Sequence, residues 1–235
     1  MIYSPTAAEL QILGRSPILA KLDQPALKTI VQAATLHKIE QGGFFFHQGE
    51  PATSFFVLID GRTRLSLIAD DGRQVIFHYL RPGDAMGVVV ALANGHYPVS
   101  AEAMTNAVAL GWDRQTAVRL MEKYPRLAIN SMELVAERFW ELQNRYRELA
   151  TERVEQRLAH AVLRLSADNN SHSRPGEPPT LTLSRQDLAE MTGTTLFSVS
   201  RICSDWEQRG ILATGREQIP VLNREELQTI AEDLP

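Results

Sequence analysis

The sequence predicts an α+β fold in three parts: an N-terminal β-roll of the jelly-roll type, a long central helix and a C-terminal winged helix-turn-helix. Turn signals recur roughly every 6 to 12 residues between about residues 35 and 112, which is typical of a domain of short strands. No glycine or proline follows Pro125 before Thr151, so one uninterrupted helix fits there. Two short helical patterns then meet at Gly193. The corresponding predicted domains are residues 1–113, 114–151 and 152–235.

The first part begins with a helical pattern and continues with strands. Residues 4–35 carry apolar side chains at helical spacing. Residues 55–59, 63–68 and 74–80 are rich in β-branched and aromatic side chains, and the second of these runs alternates polar with apolar. Short strands between regular turns predict a sandwich, a barrel or a jelly roll.

The central helix carries a regular apolar repeat. Its apolar or small residues follow one another in steps of 4, 3, 4, 3, 4 and 3 residues. This alternation is typical of a coiled-coil seam, so we expect the chain to form a homodimer along it. A helix packed on its own domain would give a similar repeat. The predicted seam consists of Ala128, Met132, Val135, Phe139, Leu142, Tyr146 and Leu149.

The third part is predicted to start with a second helix, residues 153–167, whose apolar side chains would form the floor of a C-terminal domain. The composition of residues 168–180 predicts a loop. Residues 213–221 predict a β-hairpin, the wing, after the helix-turn-helix.

The helix-turn-helix itself is the most informative pattern in the chain. Ser184 is a good N-cap for its first helix, Gly193 provides the permissive backbone of the turn, and Thr195 caps the second helix. A buried stripe in the second helix leaves its N-terminal end facing outward, as in helices that enter the DNA major groove. An ordinary helical hairpin is the alternative, and the preceding long helix and the following wing speak against it. The stripe consists of Val199, Ile202 and Trp206.

The composition is that of an ordinary soluble globular protein, with 235 residues of which 44% are hydrophobic. No apolar run approaches the roughly 18 residues that span a bilayer, and the N-terminus lacks the features of a signal peptide. We therefore expect a cytoplasmic protein with no membrane partner. The single cysteine, Cys203, excludes an intrachain disulfide and an iron–sulfur cluster held by four cysteines of one chain.

The overall charge does not by itself indicate a nucleic-acid partner. The chain has 24 basic and 28 acidic residues, a formal net charge of -4. DNA binding would depend on a local basic face, because phosphate contacts need only one such face. The candidates for it are Arg185, Arg201, Arg209 and Arg216.

The sequence does not favour an enzyme. Serine, histidine and aspartate are scattered, and the chain shows no nucleophile with a paired base, no glycine loop for phosphate and no cluster of metal ligands. An interaction module whose β-domain binds a ligand or a protein is the other class. The helix-turn-helix speaks against it.

The order of β-roll, long helix and winged helix resembles the family of the cyclic-AMP receptor protein and the fumarate and nitrate reduction regulator over nearly the whole chain. Arg157-Leu158-Ala159 resembles the start of the helix after the family's hinge, and Ser200-Arg201 fits the end of its base-reading motif. The resemblance implies a homodimeric transcription regulator that binds a palindromic DNA operator and contacts RNA polymerase. It also implies that an effector bound between the roll and the long helix switches the regulator. The roll signatures are Gly49-Glu50-Pro51, Asp60-Gly61, Pro82-Gly83-Asp84 and Met86-Gly87.

The effector region departs from the cyclic-nucleotide branch of that family. Those members follow the glycine of the roll with a glutamate for the ribose, and use an arginine about ten residues later for the cyclic phosphate. Here Val88 follows Gly87 where the glutamate would stand, and Pro98-Val99 stand in place of the phosphate-binding arginine and the residue after it. Residues 82–113 contain no lysine or arginine. Because burying a phosphate without a cation or donors is costly, the sequence disfavours cyclic AMP and cyclic GMP.

The remaining pocket region is apolar, which would suit haem or another apolar effector. Residues 97–103 and 191–201 are similar to the nitric-oxide-responsive denitrification regulators of the family, which are linked to haem. None of the six histidines stands out as a haem ligand, and His96 is the first to test. Alternatively, side chains fill the pocket and abundance alone controls the regulator. The predicted pocket residues are Met86, Val88, His96, Tyr97, Leu142 and Tyr146.

Resemblance to the oxygen-regulator branch places its Glu-x-x-Ser-Arg readout on residues 197–201, with Phe197 in place of the glutamate. Arg201 would then bind O6 and N7 of a guanine, and Ser200 a neighbouring base edge. Phe197 would pack on a thymine methyl group, so the outer half-site positions are expected to be T-rich or loosely specified. Hydroxyl groups near the helix N-terminus would form hydrogen bonds with phosphates of the DNA backbone. The predicted DNA contacts are Arg185, Thr194, Thr195, Phe197, Ser198, Ser200, Arg201 and Arg216.

Overall fold

The computed structural model describes residues 5–88, 95–169, 178–213, 215 and 218–232. The chain divides into two compact units, residues 1–69 with 76–141 and residues 70–75 with 142–235. The boundary between them falls within the long central helix. Among the described helices, none is long and apolar enough to cross a membrane.

The N-terminal segment contains two helices. Helix α1 (Ala7–Arg15) starts with a capping box in which Thr6 and Glu9 satisfy each other's backbone N–H groups. A short 3-10 turn (Pro17–Leu19) follows, and α2 (Gln24–Gln32) is capped by the Asp23 side chain.

The predicted helical segment, residues 4–35, is wrong at its C-terminal end, because Thr35 begins a strand that pairs with Gly111. Pairing within the sheet overrides the local helical pattern there. Residue 4 lies outside the described residues.

Short strands follow the helices and form two four-stranded sheets, with orders β1-β8-β3-β6 and β2-β7-β4-β5. The pairs β1–β8, β3–β8 and β4–β7 are antiparallel. This arrangement confirms the predicted β-roll, and all three strand runs identified from the sequence are strands. The strands are β1 (Thr35–Ile39), β2 (Phe44–Phe46), β3 (Ser54–Asp60), β4 (Thr63–Ile68), β5 (Gln74–Leu80), β6 (Ala85–Met86), β7 (Ser100–Ala103) and β8 (Ala107–Asp113).

Strand β3 separates two apolar clusters of the roll. Alternate side chains of a strand point to opposite faces, and here Phe55 and Val57 pack with the helices whereas Phe56 and Leu58 pack between the two sheets. Every one of these four side chains is buried.

Two helices follow the roll. Helix α3 (Arg114–Lys123) is capped by Asp113, and α4 (Pro125–Thr151) has the bounds that the sequence predicted. The buried amide of Asn130 fastens α4 to the N-terminal segment by donating to the carbonyl oxygens of Ile18 and Ala20 at 3.0 and 2.7 Å.

The second unit is mainly helical. Helix α5 (Val154–Asn169) is two residues longer at its C-terminal end than predicted, because neither residue 168 nor residue 169 is a helix breaker. The predicted loop, residues 168–180, is therefore wrong at both ends: its first two residues are helical and Thr180 begins β9 (Thr180–Leu181). Residues 170–177 lie outside the described residues.

The remaining elements confirm the winged helix-turn-helix. Strand β9 pairs with β10 (Ile219–Pro220), and bridges join Leu212 to Val221 and Gly215 to Gln218 across the wing. Helix α8 (Arg224–Glu232), which the sequence did not predict, follows the wing, and its Arg224 donates to Ser166 Oγ of α5 at 2.9 Å. The helices are α6 (Arg185–Thr192), α7 (Leu196–Gln208) and α8 (Arg224–Glu232).

Candidate DNA-reading site and effector region

A capping box fixes the start of α6. Ser184 Oγ accepts from the Asp187 backbone N–H at 3.1 Å, and the Asp187 carboxylate accepts from the Ser184 backbone N–H at 2.8 Å. This confirms Ser184 as the N-cap. The carboxylate of Asp187 also offsets the partial positive charge at this helix N-terminus.

The turn between α6 and α7 requires glycine. Gly193 has φ +62° and ψ +41°, a left-handed conformation that L side chains rarely adopt. A Cβ atom at this position would also lie 3.1 Å from Leu149 Cδ2 at the end of α4. The Thr194 N–H closes the turn by donating to the Ala189 carbonyl at 3.1 Å.

Helix α7 starts at its predicted cap. Thr195 Oγ1 accepts from the Ser198 backbone N–H at 3.2 Å and lies 3.0 Å from Ser198 Oγ. Residues 196–199, the first turn, carry no acidic side chain. The partial positive charge of this N-terminus is therefore not offset by a side chain of its own first turn, which favours an anionic partner such as a phosphate.

One face of α7 is buried and the opposite face is exposed. The buried face matches the predicted stripe and includes Cys203, whose thiol has a raised pKa because of burial. On the other face, Phe197 is 79% exposed and Leu196 is 46% exposed, and Arg201 is also exposed. Sequence reasoning places all three side chains at the outward-facing end of the helix, but it predicts a DNA contact only for Phe197 and Arg201 and not for Leu196.

The arginines predicted to form a basic face differ in their ion pairs. Arg209 binds three carboxylates, those of Glu226 at 2.7 Å, Asp205 at 3.2 Å and Glu155 at 3.9 Å, and it lines the same groove as Arg201. By contrast, within the described part of the chain Arg201 and Arg185 make no ion pair. Arg216 lies outside the described residues.

The hydroxyl-bearing candidates lie close to the turn. Thr195 is exposed, whereas Thr194, Ser198 and Ser200 are half-buried. Arg201 lines an open groove of about 470 Å³ with Ser204 and Gln208, which continue the exposed face of α7 toward its C-terminus.

In the roll, the structure separates the predicted pocket residues. Met86 and Tyr97 are buried together in the cluster between the sheets, whereas Val88 is buried in the cluster that contains the helices. His96 is exposed. Leu142 and Tyr146 belong to the second unit, and both are exposed.

Tyr97 is held on both its ring and its hydroxyl. The ring stacks on Phe46 with centroids 3.9 Å apart, and the hydroxyl donates to the Ser54 carbonyl at 2.6 Å. Burial raises the pKa of the Tyr97 hydroxyl. In this arrangement aromatic side chains occupy the part of the roll interior around Tyr97.

A basic contact in the first unit was missed by sequence reasoning. Arg138 of α4 lies 3.1 Å from His78 Nε2 of β5 and also pairs with Glu141 at 3.0 Å. The residues are 60 positions apart in the chain, so no local pattern could bring them together.

Two matches to known families cover most of the chain. The cyclic nucleotide-binding domain family matches residues 36–124, and the Crp-like helix-turn-helix domain family matches residues 156–230. With the fold and the exposed recognition helix, these matches define the class: a DNA-binding transcription regulator and not an enzyme.

Whole-chain comparisons narrow the class to one family. The transcriptional regulator LdrP of Thermus thermophilus is 30% identical over 176 residues, 75% of this chain and 86% of LdrP. The transcriptional activator protein anr of Pseudomonas aeruginosa is 24% identical over 209 residues, 89% of this chain and 84% of that protein. The structure of FixK2 from Bradyrhizobium japonicum has the same fold, with a TM-score of 0.72, 24% identity, and coverage of 84% of this chain and 96% of FixK2. The chain belongs to the CRP/FNR family of transcription regulators.

Proposed function

We propose that the protein is a homodimeric regulator that binds a palindromic operator through α7 and is switched by an effector other than a cyclic nucleotide. The observation that supports this most directly is the exposed N-terminal half of α7, where Arg201, which makes no ion pair among the described residues, lies one helical turn after Phe197. An exposed guanidinium on a recognition helix can bind guanine without first breaking an ion pair.

The proposed readout divides the side chains by chemistry. Arg201 binds guanine O6 and N7, Ser200 binds a neighbouring base edge, and Phe197 packs on a thymine methyl group. The remaining candidates carry hydroxyl or guanidinium groups beside the base-reading side chains. We expect them to bind phosphates of the DNA backbone, and such contacts position the helix on the duplex. These phosphate contacts are Arg185, Thr194, Thr195, Ser198 and Arg216.

The proposed dimer forms along α4. Met132 and Tyr146 are each 73% exposed, and Phe139 and Leu149 are more than half exposed. A 27-residue helix with such a stripe leaves considerable apolar area in water unless a second copy covers it. A dimer would also present two recognition helices to two half-sites, which matches a palindromic operator. RNA polymerase is the expected protein partner of the DNA-bound dimer.

The residues of the roll suit an apolar effector better than a cyclic nucleotide. Residues 82–113 offer no cation for a phosphate, and Val88 is buried in the cluster that contains the helices. Haem remains a candidate, because His96 is exposed and imidazole is a common haem ligand. Bound haem would supply an iron that binds a diatomic gas such as nitric oxide.

The stack of Phe46 on Tyr97 favours a second candidate, a regulator without effector that is controlled by its abundance. Side chains already occupy the space around that stack. In this case the purified protein would bind its operator at full affinity without additives.

Replacing Arg201 tests the DNA-reading proposal. We expect Arg201→Ala to lose about 1 to 3 kcal/mol of discrimination for guanine at one position of each half-site, measured by titration of labelled duplexes at fixed salt. Arg209→Ala is the matched control, because Arg209 is paired with carboxylates of its own unit. Unchanged affinity and selectivity in Arg201→Ala would refute the assignment.

A haem titration tests the effector. Wild type and His96→Ala are titrated with haem and followed by absorption, with and without nitric oxide. A sharp Soret band at one haem per chain that is lost in His96→Ala supports the haem candidate. Absence of the band from wild type eliminates it.

A further inference from the structure

We propose that Leu196 and Phe197 together form an apolar tip that recognises the 5-methyl group of a pyrimidine in the major groove, so that the regulator accepts 5-methylcytosine where it accepts thymine. This inference rests on the proposed DNA-reading function of α7. It adds Leu196 as a second reader and makes cytosine methylation an input to operator affinity.

The tip is defined by position and exposure. Leu196 and Phe197 are the first two residues of α7 after the cap, and they are 46% and 79% exposed. The hydroxyl groups beside them, on Thr195 and Ser198, already interact with each other and with the Ser198 N–H. The tip therefore offers mainly apolar surface, and the pyrimidine methyl group is the apolar feature that a major groove presents.

Electrostatics favour DNA over a protein as the occupant of this tip. The first turn of α7 has no acidic residue, whereas the first turn of α6 in the same unit carries Asp187. The apolar side chains of the tip suit the methyl groups of DNA. The partial positive charge of the helix N-terminus, which no acidic side chain of the first turn offsets, suits its phosphates.

The distance along α7 predicts which base pair the tip reads. Phe197 precedes Arg201 by four residues, which is about 6 Å along a helix. Base pairs are stacked about 3.4 Å apart. The methyl group should therefore lie within about two base pairs of the guanine that Arg201 binds.

Methyl recognition differs from thymine recognition in a testable way. Thymine presents an acceptor at O4, whereas cytosine presents a donor at N4. Aliphatic and aromatic side chains form no hydrogen bond with either group, so Leu196 and Phe197 cannot distinguish them. They can distinguish a C5-methyl group from a hydrogen atom, which separates thymine and 5-methylcytosine from uracil and cytosine.

The experiment uses an operator that the full-length protein selects from random-sequence DNA. Each thymine of the half-site is replaced in turn by deoxyuridine, which removes only the methyl group. We expect wild-type affinity to fall about fourfold for each contacted methyl group, at one or two positions per half-site. Leu196→Ala and Phe197→Ala should each lose part of this uracil effect, and Ser204→Ala, on the same exposed face, should retain it.

A second set of duplexes carries cytosine or 5-methylcytosine paired with guanine at the sensitive position. The methylated duplex should bind more tightly than the unmethylated one by about the same factor. The proposal is overturned if wild type binds the operator but does not distinguish thymine from uracil, or if both variants keep the full uracil effect. If the protein selects no operator, the proposed function itself fails.

Discussion

The indole Nε1–H of Trp206 donates a hydrogen bond to Glu155 Oε1 at 2.9 Å and thereby joins the recognition helix α7 to α5. Trp206 is fully buried, so this is the polar end of the largest side chain in the core of the second unit. Arg209, the C-cap residue of α7, lies 3.9 Å from the same carboxylate. The two contacts fix the orientation of the proposed recognition helix on α5.

Loss of the Glu155 carboxylate should destabilise the second unit. In Glu155→Ala the buried indole N–H loses its acceptor, and we expect the free energy of unfolding to fall by about 1 to 3 kcal/mol in urea denaturation. Asp205→Ala removes an exposed partner of Arg209 and should cost less than about 1 kcal/mol. Equal effects of the two substitutions would show that the indole bond contributes nothing of its own.

Arg164 should be essential for the stability of the second unit, because it pairs with a buried carboxylate. Its guanidinium pairs with Glu148, a side chain of α4 that is 5% exposed. Arg164→Met leaves that carboxylate buried without its cation, which should cost about 3 to 5 kcal/mol of unfolding free energy. The control is Arg73→Met, since Arg73 and its partner Asp71 are both exposed. A loss below 1 kcal/mol for Arg164→Met would mean that water replaces the lost cation.

The stability of the first unit should depend on pH through His37. Burial lowers the pKa of this histidine below its ordinary value of 6.5, and its ring packs edge-on against Phe56. The unfolded chain therefore binds the proton more readily than the folded chain, and stability falls as the pH drops through 6.5 toward the folded pKa. His37→Gln should show a shallower loss of thermal stability between about pH 7 and pH 5. His96→Gln, which removes an exposed imidazole, is the control. If thermal stability fell equally steeply with pH in wild type and in His37→Gln, the role of His37 would be refuted.

A charge on the predicted seam should prevent dimer formation. Phe139 is 56% exposed near the middle of that seam, and Phe139→Glu would place two carboxylates close together in the proposed dimer. We expect sedimentation to show a monomer at concentrations where wild type is dimeric. Asn144→Glu adds the same charge on the other side of α4 and should stay dimeric. A dimer in both variants would place the interface elsewhere.

Arg185 should contribute affinity without selectivity. It is a half-buried arginine at the first position of α6, and a phosphate contact from it would be independent of sequence. Arg185→Ala should weaken binding to all duplexes by a similar factor and reduce the slope of log affinity against log salt by about one. A change in base preference would instead assign Arg185 to the base edges.

The elements that local chemistry determines could be predicted from the sequence. Ser184 and Thr195 are caps because their side chains reach backbone N–H groups three residues later, and Gly193 is required by a left-handed backbone. The bounds of α4 followed from an uninterrupted helical pattern between Pro125 and Thr151. Each of these signals lies within a few residues of the structure that it specifies.

Contacts between distant segments could not be predicted in the same way. The pairing of Arg209 with Glu226 and the contact of Arg138 with His78 depend on tertiary packing, and a pattern along one helix gives a face but no partner. For the same reason the sequence predicts one pocket for Val88 and Met86, although they lie in different clusters. Periodicity shows that a side chain is buried but does not show which neighbours surround it.

The only cysteine of the chain also gives the DNA-binding unit a built-in reporter. Cys203 lies on the inner face of α7, completely buried, and the raised pKa of its thiol suppresses the reactive thiolate. Alkylation can therefore proceed only when the recognition helix separates from its core. The labelling rate of the native protein measures how often this local opening occurs, and operator DNA that holds α7 in place should slow it.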